Sequence, residues 1–555
     1  MLKKSKFSLL LVLTLVVSMF LAACGNGSNK KEEAKTSNAA QEIKVLSDAE
    51  IPTMDSVKVT DHVGITYLNA VNEGLYTLDQ KGNPTPAIAD GEPKVSEDGT
   101  VYTFTLKDTK WSNGDSVTAN DFVFAWQRAI DPKTASEYGP YMMNGKIKGA
   151  QEISDAAAAN KKYDLNTLGV KAIDDKTLEV TFAKPLAYWD ALLSFATFYP
   201  QNQKFVEEKG DKYATSADNL LYNGPFVMTK WDGPTSTEWI LEKNPNYREA
   251  DTVKLEKFTT NVVKDYNAQV NAFESGEVDI TAKLASDLVP QYQGDERLLS
   301  TLTPFTYWIK MNEKNKALAN VHIREAIAKA FDKDAMVKNI LNDGSQTANY
   351  FIPKDFVSYE GKDFRSKYPD LIKYNVDEAK AAWDKGLKEL GVKEISLGFI
   401  GDDIEGTKKV NEYIKNQLET NLPGLKIELQ SVPFATRIDR TKNMDYDLAS
   451  SGWGPDYKDA LTFADLFLTG GPINEMNYSN PEYDKLINKA QNELANDPAA
   501  YAEAMQDAEN ILLAKDYALT PTYQRSSNIL VNTKVKGLVY NSFGPDYSYR
   551  WITVE

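Results

Sequence analysis

The stretch "TVYTFTLKDTKWSNGDSVTANDFVFAWQRAID" (Thr100–Asp131) decides what kind of fold to expect. Thr100–Asp108 alternates with period two, the mark of a half-buried strand. A turn rich in Ser, Asn and Gly follows. Thr118 then stands as an N-cap, with Asp121 in the capping-box position and an apolar face beyond it, so a helix starts there. A second alternating strand, "TLEVTF" (Thr177–Phe182), completes a small α+β unit over about residues 80–200.

The same grammar extends outward. Glu42–Ser56 reads as a strand leading into a turn, and His62–Asp79 carries helical apolar spacing at Ile65, Leu68, Val71 and Leu75. Strands flank an Asn-Pro-Asn turn in "WILEKNPNYREADTVKLEKFTTNVV", and a helix, a Ser-Gly stop and a strand follow in "YNAQVNAFESGEVDI". From Tyr307 onward long helices, Val321–Asn342 and Val376–Leu390, alternate with strands, Ile395–Ile400 and Lys426–Ser431. That pattern predicts a second α/β lobe. The chain of 555 residues is too long for one core, and two or three lobes are expected.

The N-terminus, "MLKKSKFSLLLVLTLVVSMFLAAC", has lysines, then an apolar run, then small residues. It reads as a secretory signal peptide over residues 1–23. Cys24 is the one cysteine of the chain, so no disulfide can form within it. "Leu21-Ala22-Ala23-Cys24" resembles the lipobox of bacterial lipoproteins, which implies cleavage before Cys24 and a lipid on its sulfur. Residues 24–41 are small, polar and charged, the composition of a flexible tether. No later window has the apolar length of a transmembrane helix. The expected place is the extracellular face of a bacterial cytoplasmic membrane, held by lipid.

Sixty-three Lys and Arg against 79 Asp and Glu give a formal charge of −16. Phosphate binding needs the opposite balance, so nucleic acid is excluded as a partner. Two histidines and one cysteine leave no Cys/His zinc site. No P-loop and no G-x-S-x-G elbow is present. His322 opens a helix and reads as a structural residue. No cofactor, metal site or catalytic group is expected.

One local puzzle remains. In "SSGWGPDYKDALTF" (Ser450–Phe463), Asp456 lies between Trp453 and Tyr457. Aromatic neighbours mark a dry place, where an ionised carboxylate is costly without a cation. The nearest is Lys458. Asp456 either caps a helix beginning near Lys458, with Trp453 in the core, or meets a cation from elsewhere.

Three stretches together resemble the extracellular solute-binding proteins of peptide ABC importers, the oligopeptide- and dipeptide-binding family. They are Ile88–Pro132, "YNGPF" (Tyr222–Phe226) with "KNPNY" (Lys243–Tyr247), and "VHIREAIAKAFDKD" (Val321–Asp334), in the family's order. The resemblance implies a two-lobed α/β, periplasmic-binding-protein-like fold with a hinge and an extra small domain. Mapped here, lobe I comprises 42–79, 201–305 and 521–555, the extra domain 80–200, and lobe II 306–520. It implies a monomeric receptor that closes on an oligopeptide and delivers it to an ABC permease, without covalent chemistry. The "G-W-x-x-D-Y" match at Gly452, Trp453, Asp456 and Tyr457 implies that Asp456 meets the ligand's α-ammonium. Ligand backbone would pair with Val59–His62, which includes Thr60, Asp61 and His62, and with Gly452–Gly454. His62 is expected to act through its backbone. Tyr138, Phe434 and Tyr523 align with cleft-lining positions, though each could equally belong to a core.

The chain departs from the short-peptide binders at one point. Ser450 and Thr441 stand where Arg would hold a ligand's C-terminal carboxylate, with Arg437 and Arg440 nearby. A loosely held C-terminus is therefore expected, and longer peptides tolerated. A narrower ligand on the same fold is the alternative: a signalling peptide, a dipeptide, or a nickel chelate, the last weakened by Asp456 and the scarcity of His. A catalytic or chaperone-like surface lipoprotein is the third possibility.

Overall fold

The computed structural model describes residues 40–555 apart from 187, 285, 286, 360, 368, 369, 495 and 496. The expected signal peptide, Cys24 and nearly all of the expected tether lie outside the described residues. Gln41–Glu555 forms one compact unit.

Three sheets organise that unit. In the first, Glu42–Ser47 runs parallel to Lys257–Val262, which pairs antiparallel with Glu238–Lys243 and, beyond it, Phe226–Lys230. Alternation puts Ile43, Val45, Phe258, Trp239 and Leu241 on the buried side. The helix His62–Val71 packs there, with Tyr67 edge-on to Trp239 at 5.0 Å. It ends at Val71, and Tyr76–Leu78 returns as a strand, so the expected His62–Asp79 helix is shorter than its apolar spacing.

The second sheet belongs to the 80–200 stretch: Lys94–Val95, Val101–Thr105, Thr177–Thr181 and Val170–Asp174, in that order. The helix Ala119–Ile130 covers it, and its predicted cap is present: the Thr118 N–H donates to Asp121 Oδ2 at 2.8 Å.

The third sheet has six strands: Gln346–Thr347, Leu519–Leu530, Leu298–Met311, Leu448–Trp453, Ile395–Asp402 and Leu425–Val432. Ile323, Ile327, Trp383, Ile414 and Leu418, from three helices, fill its core with Leu397 and Phe399. Burying such side chains contributes about 1.5–3 kcal/mol each. The helix expected over Val321–Asn342 is interrupted. Val321–Lys329 stops, Asp332 caps a new turn by accepting from the Ala335 N–H, and Val337–Leu341 is wound more widely.

Two long strands tie the first and third sheets together. Leu298–Met311 pairs antiparallel with Leu519–Leu530 from Leu298↔Leu530 to Lys310↔Leu519. Ile280 bridges Val45 of the first sheet to Val531 at the end of this ribbon. The register slips between Leu302 and Thr306 and again between Tyr307 and Trp308. Such irregularities bend a ribbon. The boundaries expected at 305/306 and 520/521 both fall within it.

Candidate functional site

The strand Leu448–Trp453 has an unfinished side. Along one edge it pairs with Leu298–Met311 from Leu448↔Met311 to Trp453↔Thr306. Along the other it meets Ile395–Asp402 only at Leu448 and Ala449. Among the described residues, nothing pairs as a strand with that second edge from Ser450 to Trp453. Those four residues line a cavity of about 210 Å³.

Thr60, Asp61, His62, Tyr138 and Phe434 line the same cavity, so most of the predicted set converges from segments far apart in sequence. Tyr523 does not. It lines an adjoining cavity of about 140 Å³, which shares Asp48, His62, Tyr307, Arg525 and Asp546 with the first. Gly454 is buried just outside the lining. Its role is steric: a Cβ there would lie 2.6 Å from His62 Cε1. A Cβ on Gly452 would lie 2.4 Å from Phe305 Cε1. Both glycines let chain pass where no side chain fits.

Asp456 lies behind the cavity wall rather than in it. Only 1% of the residue is exposed. Tyr138 donates its hydroxyl to Oδ1 at 3.3 Å, while Oδ2 is buried without a hydrogen-bond partner. The Tyr138 and Trp453 rings stack at 6.1 Å, and Tyr141 meets Trp453 edge-on at 6.0 Å. Asp456 caps no helix; its own N–H donates to Thr462 Oγ1. Burial pushes its carboxyl up to about 7, against the attraction of His62 and the Tyr138 hydrogen bond. Among the described residues, no Lys or Arg forms an ion pair with it. Lys146, which also attracts it, is held by the Tyr141 carbonyl at 3.0 Å and lies 3.9 Å from Asp465.

The ring of His62 has partners of its own within the protein. It packs on Phe305 at 5.1 Å, and Nδ1 lies 3.2 Å from Asp546 Oδ1, near enough for an ion pair though poorly aligned for a hydrogen bond. Burial lowers the basicity of the imidazole, but Asp546 outweighs this and leaves it raised. Asp61 caps the helix His62–Val71 by accepting from the Gly64 N–H at 2.7 Å, and burial pushes it to about 6.

Several other charges of the cavity are matched within the protein. Arg437 donates to Asp402 at 2.6 Å, Lys310 pairs with Glu475, and Lys442 meets Glu137 at 2.7 Å. Ser450 donates its hydroxyl to Asn411, and Thr441 donates to the Ile438 carbonyl. Arg440 pairs with Asp445, away from the lining. Sequence reasoning missed Phe305, Tyr307, Arg525 and Asp546. They sit on the crossing ribbon and near the C-terminus, where local pattern gives no sign that they meet His62.

Contacts also join the first and third sheets beside the cavity. Lys264, just past the first sheet's strand Lys257–Val262, bridges Glu50 and Asp403 at 2.8 Å each. The Tyr266 N–H donates to Glu405 Oε2 at 3.0 Å. Asp403 and Glu405 both follow the third sheet's strand Ile395–Asp402.

The chain as a whole is similar to known proteins. A family model described as bacterial extracellular solute-binding proteins, family 5, matches residues 83–475. The dipeptide-binding protein of Lactococcus lactis subsp. cremoris is 33% identical over 99% of both chains. The structure of Listeria monocytogenes OppA bound to peptide is 43% identical, with a TM-score of 0.88, covering 93% of this chain and 99% of that one. The substrate-binding domain of an oligopeptide ABC transporter from Bacillus anthracis is 40% identical, with a TM-score of 0.89 and the same coverage.

Proposed function

The chain belongs to the bacterial extracellular solute-binding proteins, family 5, and from that premise we propose that it is a receptor that binds oligopeptides and hands them to an ABC permease. The family is one of substrate-binding transport proteins and not of enzymes. One observation carries the reading for this chain: a sheet edge, Ser450–Trp453, that no strand among the described residues pairs, ending beside a buried carboxylate that no Lys or Arg among them pairs.

An extended peptide adds to that edge as a further strand. Its main-chain groups are common to every sequence, so the affinity is broad. Its α-ammonium reaches Asp456 Oδ2 as Tyr138 and Trp453 part, and a charge-assisted hydrogen bond replaces the orphaned oxygen. The lobes close about the crossing ribbon, with the lobe division expected from the sequence, and Lys264–Asp403 secures the closed form. Ligand favours closure only through contacts made there. Of the two arginines that line the cavity among the described residues, Arg437 is committed to Asp402 and Arg525 faces Asp546, so the C-terminal carboxylate is not clamped. Peptides longer than five residues therefore bind without a sharp penalty. The protein acts as a monomer, tethered outside the membrane by lipid on Cys24. No helix among the described residues is long and apolar enough to cross a membrane.

Native mass spectrometry of freshly purified protein tests the reading. A spread of co-purified peptide masses is expected. One defined mass would favour the narrower-ligand alternative, and an empty protein that takes up no added peptide would overturn peptide binding.

A further inference from the structure

The acids facing the two joined cavities separate into those that already have a partner and one that does not. Asp402 has Arg437, Glu475 has Lys310, Glu137 has Lys442, and Asp546 has His62 with Arg525 at 3.9 Å. Asp61 is engaged as a helix cap. Asp48 differs. It directly follows the strand Glu42–Ser47 and lines both cavities where they meet. It is only partly buried, and among the described residues no Lys, Arg or His forms an ion pair or hydrogen bond with its side chain.

The nearby cations are occupied elsewhere. Lys283 lies 3.7 Å from Asp343 and over the Tyr266 ring at 5.6 Å. Arg525 lies over Phe305 at 4.4 Å and faces Asp546. Both draw the Asp48 carboxyl down, but burial dominates and leaves it raised, as expected of an acid still short of a close counter-ion. The space beside it is walled by Tyr266, Tyr307 and Tyr547. At about 140 Å³ it has room for several waters. Aromatic walls around a carboxylate suit a long apolar stem with a cationic head.

We propose that Asp48 makes this chamber a side-chain subsite selective for a lysine or arginine carried within the bound peptide. This deepens the peptide-binding reading and rests on it. Backbone pairing would supply sequence-independent affinity, and Asp48 would add a preference for basic peptides at one register.

The test is calorimetry with pentaalanine and four variants carrying one lysine at position 2, 3, 4 or 5. Wild-type protein is expected to bind one register at least tenfold tighter than pentaalanine. Acetylating that lysine's Nε should remove the gain, which separates charge from side-chain length. Asp48→Asn should bring the lysine peptide to within about twofold of pentaalanine. Asp48→Lys should transfer the preference to the glutamate peptide of the same register. Thermal unfolding of each variant reports whether it is folded. Equal affinity of all five peptides for the wild type, or a lysine preference that survives Asp48→Asn, overturns the proposal while leaving peptide binding intact. Failure of every peptide to bind wild-type protein overturns both.

Discussion

Replacing Asp456 with Asn separates the cost of the site from its benefit. Burial holds the Asp456 carboxyl at about 7 instead of 3.8. At 1.36 kcal/mol per pH unit, that amounts to about 4 kcal/mol of strain at alkaline pH. The sign follows from the proton count. Between 3.8 and about 7 the folded state binds the proton more tightly than the unfolded state, so this group's contribution to stability falls as pH rises through that window. Asn carries no charge and escapes the cost. With an unfolding entropy of about 2.1 cal/mol/K per residue, a unit running from Gln41 to Glu555 gains about 4 °C at pH 8. The gain should vanish near pH 4. Binding should move the other way. Leaving a ligand ammonium unpaired in a closed site costs about 3–5 kcal/mol, a loss of roughly 10²- to 10³-fold or more in affinity. Scanning calorimetry of stripped protein at pH 4 and pH 8, with titration of one pentapeptide at pH 7.5, reads both effects. A variant that binds as tightly as wild type, or one no more stable at pH 8, would refute the reasoning.

Further outcomes follow from the same contacts. Peptide affinity should fall as pH drops below about 7, because bound ammonium requires ionised Asp456, and binding at pH 6 should release a proton measurable as a buffer-dependent heat. Gly454→Ala places a Cβ 2.6 Å from His62 and should weaken every peptide tenfold or more by obstructing closure, a result that equal affinities would contradict. Lys264→Met removes a partly exposed bridge to Asp403 worth about 1 kcal/mol and should weaken all peptides about fivefold without altering amine dependence. Amidating the peptide C-terminus should change affinity less than about threefold, since Arg437 is already paired; a tenfold loss would point to a carboxylate clamp.

Local pattern revealed much of this. The strand at Val101–Thr105 and the Thr118 cap were legible because period and capping are short-range chemistry. The Val376–Leu390 helix was legible for the same reason. The break after Lys329 was missed, since apolar spacing continues through it and only the Asp332 side chain restarts the turn. Asp456 drew attention through its aromatic neighbours, and it is buried and unpaired. Its position behind Tyr138 and Trp453, however, depends on a contact across 318 residues. The contacts of the His62 ring were not legible because its partners, Phe305 and Asp546, arrive from the crossing ribbon and the C-terminal region.

A structure of the stripped protein soaked or co-crystallised with a free-amine pentapeptide tests the central claim most directly. The peptide nitrogen should lie about 2.7–2.9 Å from Asp456 Oδ2, with the ligand backbone paired to Ser450–Trp453. A bound peptide whose N-terminus lies elsewhere, with Asp456 still touching only Tyr138, would contradict the account.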